Sequence, residues 1–343
     1  MQIELQRTFG EYTEPQLRDD EVDWSEYFGS KRGRLTWKEL HQKRVVVVLG
    51  EAGIGKTTEF ELEAKRLTDA GQSAFFLPLN LLRTTEEWQL ALGSALEAFS
   101  TWKAGTGEGF FFLDAVDEAR LQTHADFTRA LQIVRGALAG HMARVRIAIS
   151  SRVTDWTVPQ VAASLATQLL QPLNEAIARA NAMPPPEAEP AVPVAQSNSN
   201  SEQLYVVTLD ALSREEAKRC GRHFGLQDDD AFWAAVDEGD YAFMASRPLD
   251  LRWMVELWSQ RKALGTYKEL MEVNVGARLR EVNPNYQQAG KALSEAQLLA
   301  GAQELAAAAE FGGCAFIAVQ QSRPAESRII DTHSVLRDWK PVD

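Results

Sequence analysis

The sequence predicts a three-layer α/β fold, a five-stranded parallel sheet sandwiched between helices, followed by an α-helical subdomain. Three observations predict it. The run Val45-Val46-Val47-Val48-Leu49 is short, β-branched and apolar throughout, a pattern a strand carries when both of its faces are covered. Further short apolar runs follow, separated by stretches with apolar residues at helical spacing, and strand-helix alternation builds a parallel sheet. From Ser213 onward the chain reads as helical.

The elements follow in order. The first strand ends at Gly50, and a helix from about Gly55 to Ala70 carries Phe60, Ala64 and Leu67 on one face, with Gly71 as its stop. Residues 73–79 form the second strand, Thr85 to about Lys103 a helix, and Gly109–Asp114 the third strand. Thr123 and Asp126 have the spacing of a helix N-terminus, and Phe127, Leu131, Val134 and Leu138 then fall on one helical face. Val145–Ser150 and Leu204–Leu209 complete the five strands. Capping-box spacing recurs at Ser213/Glu216, Thr266/Glu269 and Ser294/Gln297, and Gly312-Gly313 closes the last long helix.

These signals divide the chain into a lead-in (1–43), an α/β domain (44–210) and a helical subdomain (211–343). The lead-in is acidic, with seven carboxylates between Glu11 and Glu26. Inside the α/β domain, residues 182–202 carry five prolines and a Gln-Ser-Asn-Ser-Asn-Ser run, a composition expected of a mobile surface insertion. The length of 343 residues fits about two domains. Hydrophobic residues at 45% and charged residues at 24% exclude a wholly disordered or disulfide-stapled chain. A net charge of −12 repels nucleic acid and anionic membranes on average, so phosphate binding needs a local cationic patch. Cys220 and Cys314 form no CxxC pair, and the five histidines show no metal-ligand spacing. Neither a signal peptide nor a membrane span is apparent, which places the chain in the cytosol.

Gly50-Glu51-Ala52-Gly53-Ile54-Gly55-Lys56-Thr57 fits the phosphate-binding pattern GxxxxGK[ST]. Chance would produce such a match in a chain of this length with a probability on the order of 1%. The context also fits, because the loop leaves an apolar strand and opens a helix. Its backbone N–H groups and the helix dipole suit an anion; Lys56 reaches the β and γ phosphates, and the Thr57 hydroxyl holds Mg²⁺. Phe110-Phe111-Phe112-Leu113-Asp114 is an apolar strand ending in a carboxylate, 58 residues after Lys56. This is the Walker B arrangement, with Asp114 holding Mg²⁺ through water and Asp117 or Glu118 polarising the attacking water. The spacing is expected to set this strand directly beside the phosphate-loop strand. Ile147-Ala148-Ile149-Ser150-Ser151-Arg152 then brings an arginine past another apolar strand, where it could stabilise transferred charge.

The order GEAGIGKTT, FFFLDAVDE, AISSR and SRPLDL resembles the STAND class of P-loop NTPases, most closely its NACHT branch. The DxxDE form at Asp114, Asp117 and Glu118 is its most specific element, and Ala115 stands where the family often has Gly. Over residues 36–260 the resemblance implies a P-loop NTPase fold and an ATP or ADP site with Mg²⁺, extending through Thr58. It also implies a sensor role for Arg152 and packing of Pro248 near the adenine. Further implications are self-association triggered by an unidentified ligand, a role in signalling or antiphage defence, and further domains that would make this chain the N-terminal piece of a larger protein. A remodelling ATPase of the AAA+ type acting on nucleic acid, and a nucleotide-stabilised scaffold with negligible turnover, are the competing readings. Direct nucleic-acid contact by this segment is not expected from its charge.

Overall fold

The computed structural model describes residues 5–12, 34–84, 86–114, 124–156, 159–182, 203–227, 229–280, 294–312, 316–318 and 329–336. Asp117, Glu118, Cys314, Thr123 and the Pro/Ser-rich segment from 183 lie outside them. The described residues up to Asp229, with Ala242–Arg252, form one compact unit; Asp230–Tyr241 and the described residues from Trp253 form a second.

The first unit is built on a mixed α/β sheet of strands β1 (Phe9–Glu11), β2 (Val45–Leu49), β3 (Ser73–Pro78), β4 (Gly109–Asp114), β5 (Val145–Ser151) and β6 (Leu204–Leu209). Their order is β1-β6-β2-β5-β4-β3. Alternate residues of the central strands feed two apolar layers. Val45, Val47, Leu49, Phe111, Leu113, Ile147 and Ile149 pack on one side; Val46, Val48, Phe112, Ala148 and Val207 pack on the other with Trp37, Phe60 and Leu67. Burial on both faces is why β2 tolerates no polar residue.

Two expectations are corrected here. The sheet has six strands rather than five, and it is not wholly parallel: β1 pairs antiparallel with β6, Phe9 facing Leu209. Three residues within an acidic, weakly periodic segment are too few to show a strand's alternation. Nor does β4 lie beside β2. β5 sits between them, parallel to both, because counting elements between two motifs does not reveal which later strand will insert.

Helix boundaries show local chemistry. The helix Lys56–Asp69 ends in a Schellman motif, Gln72 N–H donating to Leu67 O and Gly71 N–H to Thr68 O, both at 2.9 Å, with Gly71 at φ 79°. All three foreseen boxes after Ser213 are formed, as at Ser294, whose N–H donates to Gln297 Oε1 at 2.9 Å. The single helix expected over 85–103 is instead two, Glu87–Leu92 and Leu96–Ala104, joined by a tight turn at Gly93 with φ 50°. Residues 153–182 add helical segments that the sequence reading did not place.

Gly109 opens β4 against the Trp102 indole. A Cβ there would stand 2.5 Å from Trp102 Cε2. The indole cannot retreat, being packed against Phe75, Phe99 and Phe111 and covered by the Arg144 guanidinium at 4.2 Å. Gly109→Ala is therefore expected to cost about 1–3 kcal/mol by overpacking, read as a lowered urea midpoint with an unchanged m-value.

The second unit is mainly helical. Phe232 meets Trp233 and Trp258 edge-on at 4.9 and 5.6 Å between centroids, and Tyr241 Oη donates to Gly265 O at 2.9 Å. Two short parallel strands, β7 (Phe316–Ala318) and β8 (Ile329–Asp331), interrupt the helical pattern expected there.

Candidate functional site

The glycine-rich loop leaves β2 and opens the helix Lys56–Asp69 with Gly55 as N-cap. Gly53 at φ 83° and Gly55 at φ 97° adopt left-handed conformations that glycine alone takes without steric cost. Gly53 also allows a close approach: a Cβ there would lie 3.1 Å from Leu249 Cβ. The sequence pattern thus has a direct backbone reason.

The carbonyls of this loop each accept a hydrogen bond, one after another. Lys56 Nζ, 3% exposed as a residue, donates to Gly50 O at 2.5 Å and to Glu51 O at 2.9 Å. Arg247 Nη2 donates to Ala52 O at 2.7 Å, and Leu249 N–H to Gly53 O at 3.3 Å. Arg7 Nη1 donates to Ile54 O at 3.2 Å, and Glu59 N–H to Gly55 O at 3.0 Å. Three cationic side chains, Lys56, Arg247 and Arg7, therefore converge on the carbonyls of one loop of an acidic protein. Helix geometry leaves the first-turn N–H groups beyond Gly55 without intrahelical acceptors, a natural anion seat.

β5 ties this loop to the carboxylate that ends β4. Gly50 N–H donates to Ser151 O at 3.2 Å, while Ser150 Oγ donates to Asp114 Oδ1 at 2.6 Å. Arg152 follows directly, half-buried, at the same carboxyl edge of the sheet. Open α/β sheets bind ligands outside the carboxyl ends of their strands. Thr57 is half-buried in the first turn and Thr58 exposed. Glu61, one turn past Thr57 on the same face, has its carboxyl pushed up by burial and by the nearby Asp114 charge. No cluster of three or more metal-binding side chains forms among the described residues. Thr57 and Asp114 carry hard oxygen donors of the kind Mg²⁺ takes, and they are the side chains that would hold it, with waters and phosphates as the remaining ligands.

Pro248 begins the helix Pro248–Arg261, and its Cγ lies 3.5 Å from where a Cβ on Gly55 would be. Arg247 beside it is paired with Glu51 of the loop and with Asp250, each at 3.3 Å. Asp117 and Glu118 lie outside the described residues. The sequence reading missed Arg7, Glu61 and Arg247. Arg247 adjoins the proline that was singled out and Glu61 follows Thr57 by one helical turn, but Arg7 carries no sequence signal at all.

No family model and no curated protein matches the chain. Among solved structures it is similar to the replication initiator DnaA bound to AMPPCP and single-stranded DNA, with 13% identity and a TM-score of 0.36 over 73% of this chain and 67% of that one. It is likewise similar to AMPPCP-bound DnaA from Aquifex aeolicus, with 15% identity and a TM-score of 0.36 over 73% and 68% of the two chains. Among the described residues no helix is long and apolar enough to cross a membrane.

Proposed function

We propose that the chain binds Mg-ATP and hydrolyses it slowly as a regulatory switch of the STAND type, nearest the NACHT branch. The observation that supports this most is the loop itself: a GxxxxGKT segment between a fully buried strand and a helix, its carbonyls each engaged by a donor, at the same sheet edge as Asp114. In this reading the loop amides and Lys56 bind the phosphates. Mg²⁺ would be held by Thr57 and, through water, by Asp114, and it supplies neutralisation of charge on the β and γ oxygens. Ser150 orients Asp114 by its hydrogen bond. Asp117 or Glu118 positions and deprotonates water, Arg152 stabilises the transferred charge, and Pro248 borders the base. Self-association, a trigger ligand and a defence role extend the same proposal.

Size-exclusion chromatography with and without ATP, with retained nucleotide identified after denaturation, tests it. Bound adenine nucleotide and a change of assembly with ATP are the expected result, with Glu118→Gln or Asp117→Asn keeping binding but losing turnover. Absence of any nucleotide binding overturns the reading. Strong stimulation of turnover by DNA would move it to a motor ATPase.

A further inference from the structure

We propose that Arg7, which lies outside every nucleotide-binding motif of the chain, is a positioning residue that fixes the anion-binding shape of the phosphate loop through the Ile54–Gly55 peptide. The inference rests on the nucleotide-site reading above and deepens it.

Topology explains how a residue so early in the chain reaches the loop. β1 runs antiparallel to β6, so the residues that precede β1 lie at the carboxyl end of β6. β6 is the parallel neighbour of β2, with Leu49 opposite Thr208. The loop that begins at Gly50 and the segment around Arg7 therefore meet at one corner of the sheet. There Arg7 is 5% exposed; Nη1 donates to Ile54 O at 3.2 Å and Nη2 donates to Asp210 O. The adjacent Thr8 locks the same corner, with Oγ1 donating to Asp210 Oδ2 at 2.6 Å. Burial lowers the guanidinium pKa, while Glu59, Glu216 and Asp210 favour its charged form, so the buried cation is compensated by carboxylates rather than left unpaired.

The consequence follows from peptide geometry. In a planar trans peptide the C=O and the next residue's N–H point in opposite directions. Holding Ile54 O back against Arg7 therefore turns the Gly55 N–H toward the opposite side, the side on which a loop of this kind receives an anion. Gly53 and Gly55 both sit at positive φ, and glycine populates either sign of φ readily. Rotation of the intervening peptides is thus cheap; Leu249 N–H on Gly53 O opposes it in the first of them, and the hydrogen bond from Arg7 to Ile54 O opposes it in the second. Nη1 also lies 3.4 Å from where a Cβ on Gly55 would be, so the cation is close to the peptide it restrains. Arg7 acts through Ile54 and not as a phosphate ligand.

Calorimetric titration of the full chain with Mg-ADP and Mg-ATP, at temperatures giving equal folded fractions, tests this together with hydrogen exchange in the absence of nucleotide. Arg7→Met is expected to raise Kd about tenfold and to speed exchange over residues 53–57 while leaving β2 and β5 protected. Arg7→Lys, which retains the charge but offers a single donor nitrogen in place of the fork, should fall between Arg7→Met and the wild type. It also carries the test if Arg7→Met does not fold. Thr8→Val, which loosens the same corner without touching the Ile54 carbonyl, should leave Kd within twofold of the wild type. Wild-type affinity and exchange in both Arg7 variants would overturn the proposal, as would an equal loss in Thr8→Val. A wild-type chain that binds no nucleotide, or a Lys56→Ala variant that binds as well as the wild type, instead overturns the nucleotide-site reading.

Discussion

Lys56→Ala is expected to weaken Mg-ATP binding by roughly a hundredfold and to abolish measurable hydrolysis. The ammonium is buried and already bonded to Gly50 O and Glu51 O, so the substitution removes two things at once. It deletes the cation that would meet the β and γ phosphates, and it frees the two loop carbonyls that the ammonium holds. A hydrogen bond to a charged group contributes about 1.5–3 kcal/mol, and two such losses at one loop exceed the 2.7 kcal/mol that corresponds to about a hundredfold in Kd. Titration with a fluorescent ATP analogue reads the affinity and phosphate release reads the turnover. Hydrolysis at the wild-type rate in Lys56→Ala would remove the basis of the proposed function.

Asp114→Asn separates binding from chemistry. The side chain keeps its shape, and an amide oxygen can still accept the hydrogen bond from Ser150 Oγ that the carboxylate now accepts at 2.6 Å. What it loses is the negative charge that favours a divalent cation at this edge. Nucleotide affinity measured in EDTA should therefore be unchanged, while the increase in affinity on adding Mg²⁺ disappears and kcat falls by at least about a hundredfold, in line with the several kcal/mol a metal contributes to charge stabilisation. The same substitution removes a neighbouring charge that raises the pKa of Glu61. An Asp114→Asn variant that retains both Mg²⁺ enhancement and turnover would place the metal elsewhere.

Much of the central sheet was legible because its signals are local and strong. The apolar run at Val45–Leu49, the Phe-rich run before Asp114 and the capping boxes at Ser213 and Ser294 each state their own structure within a few residues. Strand order was not legible, since nothing in the interval between Lys56 and Asp114 reports that Val145–Ser151 will come to lie between β2 and β4. The break at Gly93 escaped because the helical pattern continues on both sides of it. The site shows the same division. The loop, Asp114 and Arg152 stood out as candidates from motifs and Pro248 from the family resemblance, whereas Arg7 and Arg247 act on loop carbonyls. A backbone carbonyl is present in every residue, so its partner leaves no mark in the sequence.

The antiparallel strand at the sheet's edge also sets the order in which the chain can fold. The bond between Thr8 and Asp210 spans 202 residues, and Phe9, which also makes an isolated antiparallel bridge to Leu35, finds its strand partner at Leu209. At a synthesis rate of about 5–20 residues per second, the early segment waits on the order of 10–40 s for β6 to emerge before it can dock. Until β6 emerges, this segment can make only the bridge of Phe9 to Leu35, and its strand pairing waits for the last strand of the sheet. A ribosome-bound chain stalled shortly before Leu204 should accordingly leave residues 5–12 sensitive to protease.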